Sequence, residues 1–555
     1  MISFERNYLL NNFIFSLRKI IAGRRIAIIC ISRNRNRGEK KMGITRLAVI
    51  SGLVSALCIS SAVAQKSKDT LRTARIDQYS VLDRYIDSGN HTVFTTHALY
   101  DDLLTYDFAT QKFLPLLAKS WKRIDPTTLE FELRDDVTWH DGSRFTADDV
   151  VYTINWITDP KAKLRQARNW KWIKGVEKVG PYTVRIIEKE PSRFDLMVLA
   201  LTTPIMPKAV HGPLENKAEF SKKAVGTGPY KLVSFDPNSE IALEKNTKYA
   251  HGNAWRTAGK VGKIDIRLIG DYGTQTAEML AGNLDMMGPV TLDVTEAFAD
   301  RKDFSVQAYS GFSYTYMMIN TFGDSGVPAL KNPKVREAMM MAVNPADIYA
   351  VIGGKTKIDW PEHMCWQTKI RQVGCEFTKK PPSYNPARAK QLLAEAGYPD
   401  GFKLDLVTIP GLFRNASVVV AGNLRAIGIQ ADIKAMTRPA YNAQVKEGKF
   451  PVILRGWSGG VIPDVADTLA YFLTGELGGY ISTPELRRKV AISNNEPDVK
   501  KFEDQASEIL DEITADNRIR MLTPIPDIFV LSKDVVIEHP APVAASLVAW
   551  GLNWK

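Results

Sequence analysis

Four side chains within ten positions invite a chemical reading. In the run TWHDGSRFTADDV, residues 138–150, His140 stands beside Asp141, and Asp148 and Asp149 follow. An imidazole with three carboxylates has the donor types of a metal site or an acid/base pair. The local pattern gives each group another use. A strand ends at Trp139 and His140, and Asp141-Gly142 is a turn pair, because glycine tolerates positive φ. Thr146 then caps a helix, with Asp149 as its capping-box partner and Phe145 and Val150 placed to form a hydrophobic staple. Asp148 and Asp149 fall in the first turn, where negative charge suits the helix dipole. The acids therefore point to different places along strand, turn and helix, and the stretch reads as scaffold.

A second constellation is FPVILRGWSGGVIPDVADTLAYF, residues 450–472. Its GWSGG fits G-x-S-x-G, the nucleophile elbow of an exported serine hydrolase, with Ser458 as nucleophile and His539 downstream. The elbow needs a helix that starts at the serine, and Pro463 disfavours helix at Ile462. Hydrolysis by Ser458 is thus the alternative function, and no catalytic residue is expected. A binding role suits the same stretch better. Trp457 offers a ring for stacking or for walling a pocket. Arg455 would serve an anionic group; Asp464 is a candidate only through the resemblance described below, where it stands four residues past the position of an expected aspartate. Tyr314 and Tyr316 alternate as the side chains of a half-buried strand do. These five are the candidate ligand-binding residues.

Cys30 and Cys58 lie in the basic head of the chain, which leaves Cys365 and Cys375. An even pair, close in sequence in an exported protein, reads as a disulfide. The rival is a metal site from His363 and the two cysteines, but the spacing fits no zinc pattern. There is no P-loop, G-x-G-x-x-G or H-E-x-x-H motif, so neither cofactor nor metal is expected.

The elements that must position these residues are legible. TLEFELRDDVTW, YTVRIIEKE and EIALEKN alternate apolar and polar residues and predict strands. NPARAKQLLAEAG predicts a helix with Asn385 as N-cap, Pro386 at the first position and Gly397 just past the end. NPKVREAMMMAV repeats that start at Asn332 and Pro333, and its Met339, Met340 and Met341 read as core filler. Strands and helices mix throughout, so the class is α/β or mixed α+β. At 555 residues the chain has room for three or four domain-sized units.

The net charge of +12 is unevenly spread. Residues 1–64 carry eleven Lys/Arg against two acids, so the rest is nearly neutral and no nucleic-acid partner is expected. KKMGITR followed by LAVISGLVSALCISSAVA has the charged, apolar and small-residue parts of a signal peptide cleaved between Ala64 and Gln65. A membrane anchor is the rival, at marginal length for a span of roughly 20 residues. Met42 alone starts a normal signal, so residues 1–41 read as an extension ahead of the true start.

Five segments in order carry a resemblance. LYDDLLTYD is followed by FLPLLAKSWKRIDPTTLEFELRDDVTWHDGSRFTADDVVYT, VGTGPYKLVSF, NPKVREAMMMAVNPADI and NPARAKQLLAEAGYPDGFKLDL. Together they resemble the family 5 extracellular solute-binding proteins of ABC importers, the peptide/nickel-binding family, over nearly all of the chain from Asp69. The resemblance implies a two-lobed, periplasmic-binding-protein-like fold with an extra subdomain in the first lobe. It implies two hinge crossings, near residues 314–321 and 521–531. The limits would be 65–315 for the first lobe, 316–520 for the second and 521–555 for the return. It also implies a monomer in the periplasm that encloses a peptide-like solute between its lobes and docks on an inner-membrane ABC permease. Peptide-binding relatives often carry Trp-x-x-Asp, the aspartate receiving the peptide's amino group. Here Gly460 stands at that position, so an opine, glycoside, metal chelate or modified peptide joins free peptides as candidate cargo.

Overall fold

The computed structural model describes residues 69–87, 90–108, 110–322, 325–358, 372–445, 447–458, 462–475, 477–538 and 548–555. The expected signal segment, Met42, His363, Cys365, Gly460 and His539 lie outside these residues. Cys375, the second half of the expected disulfide, is fully buried.

Strand β1 (Thr70–Arg75) opens the first lobe. A hairpin of β2 (Leu104–Asp107) and β3 (Lys112–Pro115) follows. Next, β4 (Ala118–Asp125), β5 (Thr128–Leu133), β6 (Ile173–Gly180) and β7 (Thr183–Glu188) form a separate antiparallel sheet in the order β4-β5-β7-β6. The predicted alternation explains it: Leu129 pairs with Ile186 and Phe131 with Val184, all buried on one face. Then come β8 (Tyr230–Asp236), β9 (Glu240–Lys245), β10 (Lys263–Leu268), β11 (Met286–Val290) and the long β12 (Phe304–Ile319). The second lobe adds β13 (Lys403–Thr408), β14 (Gln430–Ala435) and β15 (Val452–Ser458). The chain returns along β16 (Ile519–Ser532) and ends in the pair β17 (Val535–Ile537) and β18 (Leu552–Trp554). One ten-stranded sheet unites the lobes, in the order β14-β13-β15-β12-β16-β11-β1-β10-β9-β8.

Two strands join the halves of that sheet. β12 and β16 pair antiparallel from Phe304↔Ser532 to Met318↔Ile519, with a register shift between Ser310 and Tyr314. At the shift the sheet narrows to these two strands, because β15 reaches only Ser313 and β11 only Ile528. Pro524 and Pro526 fall there on β16. Proline cannot donate to a ladder, so an unflanked, irregular stretch is where a strand tolerates it.

Separate apolar cores lie on either side of the narrowing. The largest lies beneath the first-lobe sheets, where Leu71, Phe131, Phe145, Val150 and Ile264 are all buried. Two more cover opposite faces of the second lobe: Met317 and Ile319 of β12 enter one, while Tyr314, Tyr316 and Met318 enter the other. That split is the period-2 alternation of a strand buried on both sides. The second-lobe helices bear out the cap readings. Asn332 and Asn385 accept hydrogen bonds from Lys334 N and Arg388 N, each with proline at the first helical position. Gly397 has φ +89°, and Met339 and Met340 are fully buried.

The opening stretch is scaffold throughout. Thr146 caps the helix Ala147–Thr158, and the reciprocal capping box with Asp149 is formed. Phe145 and Val150 are fully buried, and Gly142 takes φ +91°. Asp148 pairs with Lys178 at 2.6 Å, and Asp141 accepts from Ser143 N at 2.9 Å. His140 instead clamps the VGTGPY segment. Its Nδ1 accepts from Gly226 N at 3.1 Å, and its Nε2 meets the Gly228 carbonyl at 3.0 Å. Burial pushes its pKa down to about 4. The His140 ring in folded protein should therefore titrate with a midpoint near pH 4 by NMR, while an exposed histidine titrates near about 6.5. A midpoint above 6 would refute the clamp.

Candidate functional site

The register of β12 and β15 brings four of the five predicted ligand residues onto one face. Tyr314 lies opposite Trp457 and Tyr316 opposite Arg455. Residues directly opposite in an antiparallel pair project to the same side. Tyr314 and Tyr316 are fully buried, Arg455 is 7% exposed and Trp457 is half-buried. Trp457 stacks on Tyr471 at 4.0 Å between ring centroids, and its Nε1 donates to Thr468 Oγ1 at 3.3 Å. Gly456 intervenes on the opposite side, where a Cβ would lie 2.6 Å from the Phe413 ring. A side chain at 456 would force that ring away and disturb the face.

Arg455 lies over the Tyr441 ring at 4.1 Å. The buried Arg455 Nε and Tyr314 hydroxyl have no hydrogen-bond partner, while Tyr441 interacts with both Tyr316 and Arg455. Burial raises the Tyr441 hydroxyl to about 12, and Arg455 beside it offsets part of the rise. Arg455 has no acidic partner among the described residues.

Asp464 does not join this face. It caps the helix Val465–Leu469, accepting from Ala466 N at 2.7 Å. Its other oxygen meets Arg193 Nε at 3.4 Å, and the side chains are only 4% and 2% exposed. Arg193 comes from the first lobe, just after β7. Its guanidinium sits 4.0 Å from the Phe194 ring and 3.5 Å from the Phe502 ring. Its Nη1 donates to the carbonyls of Asn494 at 2.8 Å and Glu496 at 3.1 Å. Burial raises Asp464 to about 6, and Arg193, at a long single contact, only partly compensates. Phe194 packs against the cores of both lobes, and Arg168 reaches Asp467 at 3.6 Å. A buried ion pair and an exposed one thus join the segments flanking β6 and β7 to the one that follows β15. Nothing in the sequence pattern marked Arg193, which lies 271 positions from Asp464. Tyr441 and Tyr471 had no signal either, since each sits singly in a helical turn.

Ser458 is exposed at the end of β15, and among the described residues the next helix begins at Val465. No group of three His, Cys, Asp or Glu side chains that could hold a metal occurs among the described residues. None of their helices is long and apolar enough to cross a membrane.

Known proteins share this architecture. NikA from Brucella suis, solved with Fe(III)-EDTA, superposes with a TM-score of 0.75 at 20% identity, covering 88% of this chain and all of that one. DppA from Helicobacter pylori, solved with the peptide STSA, has a TM-score of 0.64 at 23% identity, covering 88% and 98%. These likenesses show the two-lobed fold. Among curated proteins, the glutathione-binding protein GsiB of Shigella dysenteriae serotype 1 is 27% identical over 424 residues, 74% of this chain and 78% of that protein. Residues 112–479 match the family described as bacterial extracellular solute-binding proteins, family 5 Middle. That span takes in four of the five ordered motifs whole and the face built by β12 and β15; the chain belongs to the family 5 bacterial extracellular solute-binding proteins.

Proposed function

We propose that this chain captures a peptide-like solute between its lobes in the periplasm and delivers it to an inner-membrane ABC permease. The observation that carries the cargo reading is the face shared by Trp457, Arg455, Tyr314 and Tyr316, with its unpaired cation and aromatic wall beside the lobe junction. Such a mix of apolar surface and a few placed polar groups suits a small organic ligand. The relatives agree: GsiB is named for glutathione, and the Helicobacter protein was solved with a peptide. Closure buries the ligand against both lobes and so favours the closed state.

The lobes are assigned to residues 65–315 and 316–520, with 521–555 returning, and the hinge to the narrowing at Ser310–Tyr314 and Pro524–Pro526. Export removes residues up to Ala64, Cys365 bridges Cys375, and the working form is a monomer. N-terminal sequencing of protein recovered from the periplasm should begin at Gln65.

The test is a thermal-shift screen of the mature protein with glutathione, di- and tripeptides, an opine, a glycoside and Ni(L-His). Ligand binding to the native state raises Tm by mass action, by about 2.7 kcal/mol of stability at a hundredfold excess over Kd. A peptide should raise Tm without being hydrolysed, and Trp457→Ala should abolish most of the rise. A rise with the chelate or glycoside, and with no peptide, would overturn the peptide reading.

A further inference from the structure

We propose that Arg123 is a positioning residue for the contacts Arg193 makes in the second lobe: it gathers the two ends of the loop that carries Arg193 and so sets where that guanidinium stands. This rests on the two-lobed capture reading above and holds for any cargo. The loop is residues 189–194, between Glu188 at the end of β7 and Asp195 at the start of the helix Asp195–Leu201. Both flanking acids are buried, and both bind the same arginine. Arg123 Nη1 donates to Glu188 Oε1 at 2.9 Å, and Nη2 donates to Asp195 Oδ2. Nη1 also donates to the Pro126 carbonyl at 3.0 Å, which ties the guanidinium to the turn between β4 and β5. The other carboxyl oxygens hold backbone. Glu188 Oε2 accepts from Ser192 N at 2.9 Å, and Asp195 Oδ1 accepts from Leu196 N at 2.6 Å.

Two buried carboxyl groups side by side repel unless a proton or a cation lies between them. Burial raises Glu188, Arg123 pulls it down, and the hydrogen-bonded Asp195 carboxyl pushes it up again. A guanidinium suits this place, because its planar fork reaches two carboxyls at once and an ammonium is a single point charge. Arg193 and Phe194 are the two residues just before Asp195. Arg193 meets Asp464, Asn494 and Glu496, and Phe194 packs against the second-lobe core as well as the first. These hydrogen bonds need close distance and alignment, so a shift of about 1 Å at the loop end breaks them. Glu188, Asp195 and Pro126 all lie in the first lobe, so the effect of Arg123 on the second passes through the loop.

Hydrogen exchange of the ligand-free protein, read by mass spectrometry, tests this without a cargo. Arg193→Ala should speed exchange at the amides of residues 465–469 and 493–498 by about tenfold, because the bonds that hold these segments are lost. Arg123→Gln should speed the same amides by at least about threefold. On top of Arg193→Ala it should add nothing, since two residues that act through one contact are not additive. Arg123→Lys, which keeps the charge and loses the fork, should fall between wild type and Arg123→Gln. It replaces Arg123→Gln in both comparisons if that variant loses protection throughout the first lobe. An Arg123 that only stabilised its own sheet would change exchange in β4, β5 and β7 and leave residues 465–469 and 493–498 at wild-type rates, which overturns the proposal. Equal acceleration by Arg123→Gln with and without Arg193 also overturns it, as does wild-type exchange in Arg193→Ala. Failure of every peptide in the thermal-shift screen leaves these rates untouched, so the cargo reading and this proposal fail separately.

Discussion

Arg193→Ala is expected to weaken capture of any stabilising peptide by roughly a hundredfold, about 3 kcal/mol, with a much smaller effect on the stability of either lobe. The reasoning starts from where the partners lie. Asp464, Asn494, Glu496 and Phe502 all belong to the second lobe, while Arg193 belongs to the first. Every bond that Arg193 makes to them exists only when the lobes meet, so its loss falls on the closed state. Removing one member of a buried pair leaves the other charge uncompensated, which costs more than the pair contributes. Asp464→Asn should cost little or nothing at pH 7, because asparagine keeps the helix cap and stands in for the neutral carboxyl that burial favours in the closed form. Small-angle scattering of peptide-loaded Arg193→Ala should show an expanded particle where loaded wild type is compact. Unchanged affinity and unchanged scattering would refute the latch.

The same pair gives closure a pH dependence. The charged and titratable groups acting on Asp464 are Arg193 and Asp467, and Glu496 acts on Arg193. In the closed form Asp464 is raised to about 6, chiefly by burial. In an open form the exposed group returns toward about 3.9. The closed state therefore binds more protons between pH 4 and 6, and closure strengthens as pH falls through that window. Asp464→Asn should flatten this part of the pH profile of affinity.

Much of the scaffold was legible in the sequence, because its signals are local. A capping box, an Asn-Pro helix start and a period-2 strand each lie within about ten residues, and the structure forms the ones predicted for Thr146, Asn332, Asn385 and β5. The joining of Tyr314 and Tyr316 to Arg455 and Trp457 was reachable too, as two strands with matching alternation. The sequence could not supply their pairing register, which depends on strands about 140 residues apart. Asp464 shows the limit of composition alone. It has the right chemistry for a ligand ammonium, yet tertiary packing delivers Arg193 to it instead. The doublet Asp101-Asp102 is another case. It belonged to a diagnostic motif and carried no predicted role, because its partners come from distant segments.

That doublet supports the largest stability effect expected in the first lobe. Asp101 is fully buried and accepts from His251 Nε2 at 2.9 Å, Thr227 Oγ1 at 2.9 Å and the Arg256 Nε. Arg256 in turn donates to the carbonyls of Tyr100 at 2.6 Å and His97 at 2.7 Å, and lies 4.3 Å from the Trp550 ring. The network ties the end of the helix Asn90–Leu99 to the loop after β9 and to the returning C-terminal segment. Burial alone would raise the Asp101 carboxyl, but Arg256 and His251 outweigh it and hold it well below the usual range. Its neighbour Asp102, with one buried oxygen unpaired, goes the other way, to about 7, because burial there outweighs Arg84 and Arg256. Asp101→Ala should therefore cost about 3–5 kcal/mol, since it strands a buried guanidinium. The stabilisation from Asp101 is present above its unfolded pKa of about 3.9 and is lost as pH falls through the depressed folded value. Urea unfolding followed by circular dichroism at pH 7 measures the loss. The paired change Asp101→Leu with Arg256→Met should be milder than Asp101→Ala alone, because removing both charges leaves no orphan. A single-variant loss below 1 kcal/mol would mean that water, and not the carboxylate, carries the Arg256 charge.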